Sequence, residues 1–206
     1  MMKDVTNYGL CQGIVKGAIY RPRDTVAKVN VQIRSNRRHP ITKKYEKSLL
    51  NFTALGDAVK KVADLSDGDV VLIEYHLEER MYINRQTGVA DFRDDFIIDD
   101  VTVRGKSAEE TIPYINKGFL QGVFLGIDRV PGSIGIYTVD MFHIDPLTKH
   151  RKNHRLYAFG AFAERLTHFF SKGMPVAVEY KLEKSRHVRK DGKTVYFTNC
   201  VVVELS

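Results

Sequence analysis

The sequence predicts an all-β protein: two small five-stranded barrels in tandem, each carrying one short helix. Three observations lead there. The chain repeats itself at a nearly constant offset, each copy is dominated by alternating apolar and polar residues, and one stretch per copy switches to helical period. The repeat shows where Asn7-Tyr8-Gly9-Leu10-Cys11-Gln12-Gly13-Ile14-Val15-Lys16-Gly17 returns as Asn116-Lys117-Gly118-Phe119-Leu120-Gln121-Gly122-Val123-Phe124-Leu125-Gly126. Leu55-Gly56 returns as Phe159-Gly160, Gly68-x5-Glu74-Tyr75 as Gly173-x5-Glu179-Tyr180, and Thr87-Gly88 as Asp191-Gly192. Offsets of 109, 104, 105 and 104 are too steady for coincidence. They define a duplication, with one domain over 5–104, a polar connector over 105–113 that ends in Pro113, and a second domain over 114–206.

The elements follow in order. The first strand of each repeat carries Gly9/Gly13/Gly17 or Gly118/Gly122/Gly126. That spacing also occurs in membrane helices, but Gln12, Lys16 and Gln121 interrupt any apolar face. On a strand, positions four apart share a face, and glycine there lets a barrel coil sharply or meet another backbone. In the second strand Val29, Val31 and Ile33 alternate with Lys28, Asn30, Gln32 and Arg34; Tyr137, Val139 and Met141 alternate with Thr138, Asp140 and Phe142. In the third, Arg155, Tyr157 and Phe159 share one face and Leu156 and Ala158 the other. Leu49, Asn51, Thr53 and Leu55 form the matching face in the first repeat, with Phe52 inward. A helix follows, marked by Ala58, Val62 and Leu65, and by Phe162, Leu166, Phe169 and Phe170. The fourth strand reads Val71, Ile73, Tyr75, Leu77 and again Val176, Val178, Tyr180, Leu182. Five strands with a helix after the third is the layout of the OB-fold.

Composition narrows the function. The chain has 206 residues, 32 Lys+Arg against 25 Asp+Glu, a net charge of +7 and no Trp. A basic balance favours a polyanionic partner. It is uneven: residues 1–105 hold 17 basic and 15 acidic side chains, net +2, and residues 106–206 hold 15 and 10, net +5. Cys11 and Cys200 lie far apart without a CxxC, which excludes a disulfide framework and a cysteine zinc site and suits reduced, buried thiols in the cytoplasm. No signal core or membrane span is expected. Enzyme motifs are missing: there is no phosphate loop of the Gly-x4-Gly-Lys type and no GxSxG. His150 and His154 as zinc ligands, His143 with Asp145, and the carboxylate pairs Asp94-Asp95 and Asp99-Asp100 as a cation site all lack the partners such chemistry needs. No cofactor or metal is expected.

Asn116-Lys117-x2-Leu120-x-Gly122-x2-Leu125-Gly126, Asn153-His154-Arg155-Leu156-Tyr157-Ala158-Phe159-Gly160, and Ala163-Glu164-x5-Phe170-x-Lys172-Gly173-x2-Val176-x-Val178-Glu179-x2-Leu182 occur in one order. In the first repeat Thr25-Val26-Ala27-Lys28-Val29-Asn30-Val31, Leu55-Gly56 and Gly68-x5-Glu74 follow suit. Together these resemble the bacterial and phage-type single-stranded-DNA-binding protein family. The departures are the missing Trp residues, Tyr75 and Tyr180 where the family usually has Gly, and the absence of an acidic tail after the last strand. The resemblance implies single-stranded DNA as partner, a homodimer that assembles four barrels, and a role in DNA replication, recombination or repair. A tailless tandem form resembles a phage, plasmid or mobile-element protein and is expected not to recruit partners through a tail.

Binding a single strand without sequence choice needs cations along the phosphates and flat side chains under the bases. The second repeat offers both. Its strand 2–3 loop supplies Lys149, Arg151, Lys152 and Arg155, its third strand Tyr157 and Phe159, and its second strand Phe142. Its strand 4–5 hairpin adds Lys184, Arg186, His187, Arg189 and Lys190. The first repeat has a basic loop with Arg34, Arg37, Arg38, Lys43 and Lys44, but one plausible stacker, Tyr82, in a hairpin rich in Glu78, Glu79, Asp91, Asp94 and Asp95. The second barrel is therefore expected to dominate. Alternatives are an RNA-binding barrel protein and a protein–protein scaffold of a replication or secretion complex; catalysis is not expected.

Overall fold

A computed structural model describes residues 6–38, 45–83, 88, 90–106, 113–188, 192 and 194–206, without the side chains of 35–38, 45, 91, 186–188 and 195. The first repeat forms β1 (Asn7–Val15), β2 (Tyr20–Arg23), β3 (Val26–Arg38), β4 (Tyr45–Leu55), α1 (Ala58–Lys61), β5 (Asp69–Ile83) and β6 (Ala90–Lys106). The second forms β7 (Ile115–Arg129), β8 (Ile136–Ile144), β9 (Arg151–Phe159), α2 (Gly160–Phe169), β10 (Pro175–Val188) and β11 (Thr194–Leu205). Each repeat closes on itself. β1 pairs antiparallel with β3 and β5, β5 with β6 and β3 with β4, and β4 runs parallel to β6 at Thr53 and Ile97. β7 pairs with β8 and β10, β10 with β11 and β8 with β9, and β9 runs parallel to β11 at Tyr157 and Val201. These are two OB-fold barrels.

Alternation is the cause of the barrels. Val29, Val31 and Ile33 on β3, Val71, Ile73, Tyr75 and Leu77 on β5, and Val176, Val178, Tyr180 and Leu182 on β10 are all buried, the residues between them turned out. Four local expectations differ from the structure. β2 is an added exposed strand laid against β3. Helix α1 has only four residues, so Val62 and Leu65 are buried from the turn that follows it; Asp57 supplies no capping hydrogen bond, and Asp64, Ser66 and Asp67 are turn formers. Phe169 is 70% exposed, because the chain swings to extended backbone at Phe170 and packs that ring, not Phe169, on Phe124. Thr53 keeps the outer face, opposite Lys28, but is buried there, its hydroxyl accepting from the Lys28 ammonium.

The two barrels are joined strand to strand. β1 and β7 pair antiparallel, with Gly9 opposite Gly118. Those two glycines are equivalent in the repeat, so a local two-fold axis passes between them. Each faces a tyrosine of its own barrel: Gly9 pairs with Tyr75 and Gly118 with Tyr180, and a Cβ on either glycine would overlap the ring. The tyrosines fill the space the glycines vacate, an aromatic cover over a strand glycine. Asn7 and Asn116 repeat the symmetry, each bonding the backbone N–H and C=O of Leu77 or Leu182 at 2.8–3.0 Å. Buried side chains of both repeats form one continuous cluster. β6 continues to Lys106, and residues 107–112 of the expected connector lie outside the described residues. Among the described residues no helix is long and apolar enough to cross a membrane.

Candidate nucleic-acid interface

The outer face of β8 and β9 is a row of cross-strand pairs: Phe142 beside Asn153, Asp140 beside Arg155, Thr138 beside Tyr157, and Ile136 beside Phe159. Its alternate positions, Val139, Met141, Leu156 and Ala158, are fully buried and fix which way the row points. Phe159 is 40% exposed, and Phe142 and Tyr157 are half-buried. The Arg151 guanidinium lies 4.1 Å from the Phe142 ring centre and donates to Asn153 Oδ1 at 2.9 Å. Arg155 forks onto Asp140 at 2.8 and 3.1 Å and covers the Phe92 ring of β6 at 4.8 Å. Beside the row lies an open depression of ≈ 320 Å³ lined by Phe92, Gly126, Asp128, Asp140, Arg151 and Asn153. An aromatic floor with cations at its edge is the chemistry that stacks bases and holds phosphates.

The flanking loops behave differently. The turn before β9 is tight: Asp145 accepts the N–H groups of Leu147 and Thr148 at 2.8 and 3.1 Å, and the Thr148 bond first of all holds its carboxyl below the usual value. Lys149 follows in left-handed backbone (φ 60°), its side chain exposed. On the β10–β11 hairpin the Lys184 ammonium lies 5.0 Å from the Tyr196 ring centre, and burial lowers its pKa. Tyr196 and Phe197 are 58% and 41% exposed, two aromatic surfaces that the sequence reading missed. Their adjacency hid them, since neighbouring strand residues face opposite ways and one of the two is normally core. The side chains of Arg37, Arg38, Arg186 and His187, and residues Lys43, Lys44, Arg189 and Lys190, lie outside the described residues. In the first barrel Arg34 lies over Tyr114, and Arg93 over the 40% exposed Tyr82, each at 5.8 Å.

The sequence reading also missed the partner of the β9 stripe. The β5–β6 hairpin of the first barrel lies against β9, and β10 of the second lies against β4 of the first. Glu78 pairs with Lys152. Glu79 Oε2 accepts the Asn153 backbone N–H at 2.8 Å and its side-chain amide at 3.3 Å. Asp94 bonds His154 at 2.6 Å and accepts the Arg155 N–H at 3.4 Å. His154 in turn meets His143 at 2.8 Å, in a fully buried stack. His154 therefore turns inward while His150 stays exposed, so the two share no zinc-binding face. Burial pushes the Asp94 carboxyl above its ordinary value, and His154 opposes the shift. Asp99 and Asp100 are bonded to His76 and Lys61, both at 2.8 Å. Among the described residues no group of three or more such side chains is placed to hold a metal ion. Cys11 and Cys200 are free and buried, and burial raises both thiols, leaving them inert.

No family model and no curated protein matches the chain. Among solved structures it is similar to the wild-type single-stranded DNA binding protein of Thermus aquaticus: 14% identity, 97% of this chain and 91% of that one, TM-score 0.65. A deletion mutant of the same Thermus aquaticus protein gives 15% identity, 97% of this chain and 93% of that one, TM-score 0.62. At this identity the likeness establishes the fold over almost the whole chain: two OB-fold barrels in tandem.

Proposed function

We propose that the chain binds and protects single-stranded DNA, largely without sequence choice, as a stoichiometric binder rather than an enzyme. The observation that carries this reading is the outward row on β8–β9, where Phe142, Tyr157 and Phe159 lie beside Arg151 and Arg155 on the curved face of an OB barrel. Such a face stacks any base, because every base has a π-face. The likeness to single-stranded DNA binding proteins from Thermus aquaticus along both barrels supports it. The setting is DNA replication, recombination or repair, or mobile-element DNA metabolism, and the working unit is a pair of chains that brings four barrels together. Light scattering should return twice the 23.5 kDa chain mass. Polarisation titration with oligo-dT, oligo-rU and duplex DNA over a salt series tests the function. Oligo-dT should bind tightest, with a log–log salt slope of about −0.7 per phosphate neutralised. Preference for oligo-rU makes the protein an RNA binder; no binding to any of the three leaves the scaffold reading.

A further inference from the structure

We propose that the acidic β5–β6 hairpin of the first barrel is a built-in competitor of the nucleic acid, its Glu78 and Glu79 holding the phosphate sites of the second barrel's β9 stripe until a strand displaces them. This rests on the function proposed above. Four successive β9 residues, Asn153 and Arg155 of the outward row and Lys152 and His154 of the opposite face, each meet a group on the hairpin: Lys152 meets Glu78, Asn153 meets Glu79, and His154 and the Arg155 backbone meet Asp94. The carboxylate oxygens take an ammonium and backbone N–H groups, the same donors that hold phosphate oxygens. The hairpin is acidic where the rest of the protein is basic, with Glu78, Glu79, Asp91, Asp94 and Asp95 against Arg80, Arg85 and Arg93.

The contact grades from firm to loose along the hairpin. Asp94 and His154 are 5% and 0% exposed, and removing either partner of a buried pair is strongly unfavourable. Glu78 and Lys152 are 37% and 22% exposed, and an ion pair this wet contributes only about 0–1 kcal/mol. Asp94 thus anchors the hairpin in register while the Glu78 and Glu79 contacts exchange readily for phosphates. The stripe is held in a binding geometry, shielded from weak polyanions, and opened by a strand that offers several phosphates and bases at once.

The test compares E78Q/E79Q with the wild type for oligo-dT affinity at about 50 mM salt, where such pairs are little screened. The variant should bind about ten-fold tighter, since two carboxylates no longer contest the site. D57N/D64N removes two exposed carboxylates elsewhere and should change affinity less than about two-fold. In a K152Q background the E78Q gain should vanish. Equal or weaker binding by E78Q/E79Q, or an equal gain in D57N/D64N, overturns the competitor while leaving the function standing. Binding by neither protein overturns both, and binding by the variant alone supports a full block.

Discussion

At the scale of single residues, the symmetry axis is built on substitutions that compensate each other. Gly9 and Gly118 leave room, and Tyr75 and Tyr180 fill it, so either member alone is a defect. Replacing Gly9 by Ala forces the Tyr75 ring off its site in a fully packed interior and should cost about 1–3 kcal/mol in urea unfolding. Both tyrosine hydroxyls are buried, with no well-formed hydrogen bond beyond their mutual approach, and burial above all drives their pKa values well up. Tyr75→Phe removes a polar atom that burial penalises and should leave stability unchanged or raised. Asp94 gives a pH prediction. Its carboxyl titrates above its ordinary 3.8 in the folded state, mainly through burial, so in the window just above 3.8 the folded protein holds a proton the unfolded chain has lost. Asp94 therefore makes stability fall as pH rises through that window. In Asp94→Asn that negative slope is gone, and variant stability relative to the wild type should climb with pH there in parallel denaturation series. A flat difference would contradict the assignment.

Elements were legible in the sequence wherever packing has a period. The alternation on β3, β5 and β10 reads directly as burial, because a one-residue slip would expose every apolar side chain. α1 was overread, since Ala58, Val62 and Leu65 reach the core from a turn as well as from a helix. The aromatic row of β8–β9 was legible as residues and as a face, but its cover was not. Which hairpin crosses which barrel depends on the Gly9–Gly118 register, and alternation within one barrel carries no information about pairing between two. For the row itself, Tyr157→Ala/Phe159→Ala should weaken oligo-dT binding ten-fold or more, because stacking contributes about 1–3 kcal/mol per base. Tyr82→Ala is the comparison: its ring belongs to the first barrel's hairpin beneath Arg93. A larger loss in Tyr82→Ala than in the double variant would move the principal binding face to the first barrel.

On the scale of the whole molecule, the duplicated barrels behave as one body. The β1–β7 ladder runs from Asn7–Leu120 to Gln12–Ile115, and its strands belong to both barrel walls at once. The hairpins add reciprocal contacts, β5–β6 on β9 and β10 on β4, and the buried side chains of the two repeats are continuous. Opening one barrel would strip hydrogen bonds from β1 or β7 and leave the ion-paired face of the other barrel bare. Neither barrel has a low-cost way to unfold alone. Calorimetry should therefore show a single transition with equal calorimetric and van't Hoff enthalpies, despite two barrels per chain. For 206 residues unfolding together, the heat-capacity change should be about 2.5–3 kcal/mol/K at 12–15 cal/mol/K per residue. High salt should lower the midpoint without splitting the peak, because the wet pairs such as Glu78–Lys152 are screened while the β1–β7 ladder and the common core are not. Two resolved transitions, each with about half that heat-capacity change, would mean that the barrels fold independently and that the ladder between them is only a tether.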